Sequence, residues 1–180
     1  LLSQIQDLNL HDDNWMRFKC PDNFPRLPLW YEPGSAKGVG DDGAVRLGGF
    51  LAKDPILESL QLGTNGVSSV GAHAIFMGLV GNTHLLKSLV LSANYELGGA
   101  GDVVGLALRV ALDSSKLEVL NLINTGISDG SAILLGEWLA NQPPSSALKQ
   151  LDLGNNNFSS AATVALISGA LESTTTLNML

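Results

Sequence analysis

The residues with the most informative chemistry in this chain are three histidines, one cysteine and a glycine-rich turn. His11-Asp12-Asp13 has the composition of a metal site. Three adjacent residues at a strand end point alternately to opposite sides, so they do not converge on one ion, and a solvated turn is the expected reading. His73 and His84 each lack an acidic neighbour at ligand spacing. Cys20 lies just before Pro21, Pro25, Pro28 and Pro33, with no partner motif that would activate a thiolate. Gly98-Gly99-Ala100-Gly101 sits where a phosphate loop would open a helix, but it lacks the lysine and the full glycine spacing of one. Asp41-Asp42 reads as helix capping. The sequence therefore leads us to expect no catalytic residues, no metal, no cofactor and no enzyme.

The elements that carry these residues must be built from an unusual composition. The chain has 180 residues, enough for one domain with a sizeable core. Hydrophobic residues make up 45%, but charged residues only 15%, well below the usual quarter. So little charge leaves surface that another molecule is expected to cover. The net charge of −7, with ten Lys and Arg, provides no basic stripe for a phosphate backbone and a poor match to an anionic membrane. Nucleic acid is excluded as a partner on that ground. A single cysteine allows no internal disulfide, which points to a reducing, intracellular compartment, cytoplasmic or organellar. No signal-peptide pattern opens the chain, and no apolar run is long enough to span a bilayer. The start at Leu1 and the stop at Leu180, inside a repeating pattern, lead us to expect a fragment of a longer chain.

The pattern is a frame L-x-x-L-x-L. It occurs at Leu57, Leu60 and Leu62; at Leu86, Leu89 and Leu91; at Leu117, Leu120 and Leu122; and at Leu148, Leu151 and Leu153. A last copy is expected to begin at Leu177 and Leu180, giving spacings of 29, 31, 31 and 29 residues. Each frame alternates apolar and polar residues, the period of a strand. Eight residues after the first leucine stand Asn65, Asn94, Thr125 and Asn156, where an amide can bond the backbone as the chain turns. Capping residues follow, then helix-like apolar runs over Ala72 to Val80, Val103 to Leu112, Ala132 to Ala140 and Thr163 to Leu171.

The N-terminal third fits less regularly. Ile5, Leu8 and Leu10 make one frame, Phe24, Leu27 and Leu29 another, and Ala44 to Ala52 a helix entered through Val39 and Gly40. Two readings stand: the Phe24 frame is a separate strand reached by an irregular connection, or the period is broken by one insertion spanning Trp15 to Gly38. In either case residues 14–38 are a Pro-rich irregular connection or insertion, since proline disfavours regular helix and central strand.

The segments Leu57-Glu58-Ser59-Leu60-Gln61-Leu62-Gly63-Thr64-Asn65 and Leu148-Lys149-Gln150-Leu151-Asp152-Leu153-Gly154-Asn155-Asn156, with the helix entry Val67-Ser68-Ser69-Val70-Gly71-Ala72, resemble the ribonuclease-inhibitor-like class of leucine-rich repeats. The resemblance covers Leu57 to Leu180 well and Ile5 to Ile56 loosely, and Thr125 departs from it. It implies an α/β solenoid over residues 1–180, a horseshoe arc with an inner parallel sheet and outer helices. It also implies a protein that binds other proteins. Stacking is expected on physical grounds too, because one strand and one helix cannot bury both their sides alone.

Alternation sends the leucines inward and the residues between them onto the concave sheet face. The candidate partner-binding residues there are Trp30, Tyr31, Gln61, Val90, Val119, Asn121, Ile123 and Asp152. Trp30 and Tyr31 are either interface anchors or residues packed under the Pro-rich insertion. On the convex helix face Met77, Val103, Ile133, Leu134 and Val164 are expected to point partly outward, among few charges (Arg46, Arg109, Glu137) and His73. These features point to a non-catalytic scaffold or adaptor, a subunit of a larger assembly. The alternative is a regulatory domain acting on an enzyme, of GTPase-activating or ubiquitin-ligase substrate-recruiting type. An extracellular recognition domain is disfavoured by the lone cysteine.

Overall fold

The structure is a computed structural model that describes residues 7–9, 38–53, 57–81, 85–99, 103–173 and 175–178. They form an α/β fold. Strands β1 (Asp7–Asn9), β2 (Ser59–Gln61), β3 (Ser88–Val90), β4 (Val119–Asn121), β5 (Gln150–Asp152) and β6 (Thr176–Asn178) make one parallel sheet in sequential order. Helices α1 (Gly40–Leu51), α2 (Ser69–Gly78), α3 (Val103–Ser114), α4 (Asp129–Ala140) and α5 (Ser160–Glu172) alternate with the last five strands. Neighbouring helices in this order pack on one another.

Each of these strands is three residues long. Their middle leucines pair laterally, Leu60 with Leu89, Leu89 with Leu120 and Leu120 with Leu151, and all four are fully buried. Leu57, Leu86, Leu117 and Leu148, and Leu62, Leu91, Leu122 and Leu153, are buried in the same core. Three helices begin about one turn earlier than the apolar runs indicate. Ser68, Ser128 and Ser159 are the N-caps, and their hydroxyls accept from Val70, Ser131 and Ala162 N–H, so the helix starts at the next residue.

β1 pairs directly with β2, Leu8 opposite Leu60. The frame of Phe24, Leu27 and Leu29, and with it the choice between the two readings of the N-terminal third, lies outside the described residues. One register expectation is corrected. At the other end Leu177 pairs with Leu151, the middle leucine of its frame, not with Leu148. The last frame therefore begins three residues before Leu177. The pair Leu177 and Leu180 imitates a frame start because it repeats the three-residue step between a frame's first and second leucines.

Side-chain amides join neighbouring turns, those of Asn65 and Asn94 buried and that of Asn156 half-buried. Asn94 Oδ1 accepts from Asn65 N (3.0 Å) and Val67 N (3.0 Å), while its Nδ2 donates to Leu62 O (2.9 Å) and Leu91 O (2.7 Å). Asn156 repeats this with Thr125 N, Ile127 N, Leu122 O and Leu153 O. Asn65 Oδ1 accepts from Val39 N (3.1 Å). Thr125 has no amide. Its hydroxyl donates to Leu122 O (2.7 Å), and its carbonyl accepts from Gly98 N (2.9 Å) as the Asn65 carbonyl accepts from Gly40 N (2.8 Å).

Glycine sets the closest helix approaches. A β-carbon on Gly48 of α1 would collide with the backbone of Ala74 in α2, and one on Gly78 with the carbonyl of Gly48. The same crossing recurs between α4 and α5, where Gly136 meets the Ala165 backbone and Gly169 the Gly136 carbonyl. Each obstacle is main chain, which cannot rotate aside. Gly136→Ala is therefore expected to lower stability by about 1–3 kcal/mol despite alanine's better helix propensity. Thermal unfolding of the variant checks this, and an unchanged or raised midpoint would show that α4 and α5 do not meet so closely.

Candidate protein-binding surfaces

The residues between the buried leucines stand on the opposite face of the sheet. There Gln61, Val90, Val119, Asn121 and Ile123 are half-buried, as side chains on a sheet of small neighbours should be. Asp152 departs from expectation. It is only 6% exposed, accepts from Gln150 Nε2 (3.2 and 3.1 Å) and lies 3.4 Å from Asn121 Nδ2 as a second donor. Asn121 also accepts from Ile123 N (3.1 Å). The carboxylate is thus enclosed by the side chain two residues before it and by its cross-strand neighbour, and does not stand out toward a partner. Trp30 and Tyr31 lie outside the described residues.

The residues following the first leucine of each frame carry alternating charge. Glu58 pairs with Lys87 (2.7 Å), and Glu118 with Lys149 (2.6 Å). The hydrogen bond from Lys87 to Glu58, then their mutual charge, holds this ammonium above its ordinary pKa, with Glu118 adding to the effect. The hydrogen bond from Lys149 holds the Glu118 carboxyl below its ordinary value. These exposed pairs are screened by solvent and contribute little to stability.

The helix side is apolar where most proteins place charge. Met77, Val103 and Val164 are exposed as expected, and so are Val45, Val70, Leu106 and Val110. Ile133 and Leu134 are half-buried, and Ile133 packs against the core. Leu106 and Val110 escaped the sequence reading. Their signal was the spacing Val103, Leu106, Val110, an i, i+3, i+7 stripe on one helix face. Arg46, His73, Arg109 and Glu137 are exposed among these residues.

The groups considered for chemistry have structural surroundings where they are described. Gly98 packs so tightly on Gly126 that a β-carbon would strike its carbonyl. Asp41 Oδ1 accepts from Ser68 N (2.8 Å) and Gly71 N (3.1 Å), and its Oδ2 accepts from Ser68 Oγ (2.6 Å), so it caps α2 rather than its own helix. Asp129 does the same for α5 through Ser159 N (2.8 Å), and that bond draws its carboxyl below the usual aspartate range. His11, Asp12, Asp13, Cys20 and His84 lie outside the described residues. Among the described residues no group of three His, Cys, Asp or Glu side chains could hold a metal ion, and no helix is long and apolar enough to cross a membrane.

No protein-family model matches this chain, and a search of curated proteins finds no match either.

Proposed function

We propose that this chain is a leucine-rich-repeat solenoid of the ribonuclease-inhibitor-like class that acts as a non-catalytic protein-binding scaffold or adaptor within a larger assembly. The observation that carries this reading is the exposed apolar face of the helices, with Val70, Met77, Val103, Leu106 and Val110 on the adjacent α2 and α3. Scattered single apolar residues are ordinary on a surface, but a set on two neighbouring helices is the kind of patch that interfaces cover. The lateral pairing of Leu60, Leu89, Leu120 and Leu151 supports the repeat reading, since each strand–helix unit uses equivalent positions against its neighbours.

Affinity purification of the protein from its native source, with quantitative mass spectrometry, tests this function. A fixed set of proteins in constant ratio is expected, and Leu106→Asp with Val110→Asp should release it while leaving the far-ultraviolet dichroism unchanged. Recovery of the protein alone, or with a substoichiometric enzyme, would shift the assignment to a regulatory domain.

A further inference from the structure

Asn65-Gly66 is the one Asn-Gly pair in the chain. Such a pair carries its own chemistry, because glycine has no β-carbon to shield the nitrogen beside the amide. The Gly66 nitrogen attacks the Asn65 carboxamide carbon. A new N–C bond forms, the C–N bond to the amide nitrogen breaks, and ammonia leaves with the proton. Water then opens the cyclic imide at either carbonyl, giving aspartate or a β-linked isoaspartate.

Two demands of one turn bring the pair together. Position 65 supplies the amide that joins neighbouring turns, and Gly66 takes φ 64°, in the left-handed region. Gly126 meets the second demand at φ 68° but follows Thr125, which has no amide to lose. Asn94 precedes Tyr95 and Asn156 precedes Asn157, so those amides have no glycine beside them.

The folded chain restrains the reaction. Asn65 is 1% exposed, its Oδ1 accepts from Val39 N (3.1 Å) and its Nδ2 donates to Gly63 O (2.7 Å). The carboxamide cannot swing toward the Gly66 nitrogen without giving up both bonds. Gly40 N donates to Asn65 O (2.8 Å), and a β-carbon on Gly38 would stand 2.8 Å from Asn65 Cα. Residues 38–40, the entry to α1, thus clamp Asn65 at its side chain, its carbonyl and its Cα. Gly66 itself is exposed, so water and base reach it.

We propose that Asn65-Gly66 is a spontaneous modification site gated by α1, which turns a transient release of that helix into a permanent one. While residues 38–40 stay seated the amide is inert. Once they lift, it reacts as an open peptide does. Neither product restores the clamp. Isoaspartate adds a methylene to the main chain, which displaces Asn65 N from Asn94 Oδ1 (3.0 Å) and Asn65 O from Gly40 N. Aspartate loses the donor to Gly63 O and puts a charge into a buried site beside that carbonyl. Because α1 packs on α2, its release uncovers that side of α2.

The test follows the Asn65 peptide by mass spectrometry while the intact protein is held at mildly alkaline pH, beside a synthetic peptide of residues 57–72. The protein is expected to deamidate at least about a hundredfold more slowly than the peptide. Gly38→Ala, whose β-carbon strikes the Asn65 backbone, should raise the protein's rate at least about tenfold. Adding Gly66→Ala should suppress the reaction again. Modified chains, separated by ion exchange, should show faster hydrogen exchange over Gly40–Leu51 than unmodified ones. Equal rates in protein and peptide overturn the proposal. So do a Gly38→Ala rate equal to the parent's, modification that persists with Gly66→Ala, or unchanged exchange over α1 after modification. Should Gly38→Ala fail to fold, the parent protein in sub-denaturing urea decides. A rate that rises before the global transition supports the gate, and one that rises only with that transition overturns it.

Discussion

Asn94→Ala is expected to lower the unfolding free energy by about 3–5 kcal/mol. The side chain is buried and makes four backbone bonds, two as acceptor and two as donor, that tie the turn after β2 to the turn after β3. Alanine removes every one of these bonds and leaves Asn65 N, Val67 N, Leu62 O and Leu91 O without that partner. Each unsatisfied buried polar group costs about 1–3 kcal/mol, and partial hydration of the hole returns some of the sum. Asn94→Asp separates the contributions. It keeps both acceptor bonds but loses both donors and places a carboxylate beside two carbonyls, so it should be no more stable than Asn94→Ala above neutral pH. Urea unfolding at several pH values measures both variants. A loss below about 1 kcal/mol for Asn94→Ala would mean that the turns are held by something other than the amide.

Leu120→Ala is expected to cost about 2–5 kcal/mol, near the upper end of that range. Leu120 is fully buried and lies at the centre of the sheet, with β3 and β5 on either side. Its environment cannot collapse readily, because the strands beside it are pinned by backbone bonds such as Leu91 N to Asn121 O (2.9 Å) and Leu122 N to Asp152 O (2.8 Å). A hole in a pinned wall persists, and its lining atoms lose their contacts. Leu120→Met keeps most of the volume and should cost under about 1.5 kcal/mol. Denaturant unfolding of the two variants side by side checks this, and equal losses would show that the effect comes from the backbone and not from the cavity.

Alternation and spacing alone marked where the strands at Leu60, Leu89, Leu120 and Leu151 lie and which of their residues are buried. That was legible because the information is local: a strand with one buried face must show period two, and a helix entered through serine needs only the residues next to it. The class of fold follows from the same local signals. Less was legible at the surfaces. Exposure of Met77, Val103 and Val164 could be anticipated from helix phase, but Ile133 and Leu134 could not be separated from them, since half-burial depends on how closely α5 crosses α4 at Gly136 and Gly169. The enclosure of Asp152 by Gln150 and Asn121 required the cross-strand register, and so did the assignment of Leu177 to the middle of its frame.

Thr125 shows the division most directly. Its departure from asparagine is visible in the sequence, but its consequence is not: a hydroxyl donating to Leu122 O stands where Asn94 makes two acceptor and two donor bonds to the backbone. Likewise the frame of Ile5, Leu8 and Leu10 marked a strand at Leu8, while only the tertiary structure seats that strand directly beside β2. The sequence by itself determined the local elements and their buried faces, because propensity and periodicity act within a few residues. The tertiary structure decided which strand meets which, how near the helices approach and which apolar side chains stay uncovered, because those depend on residues some thirty positions away whose main chains must share the same space.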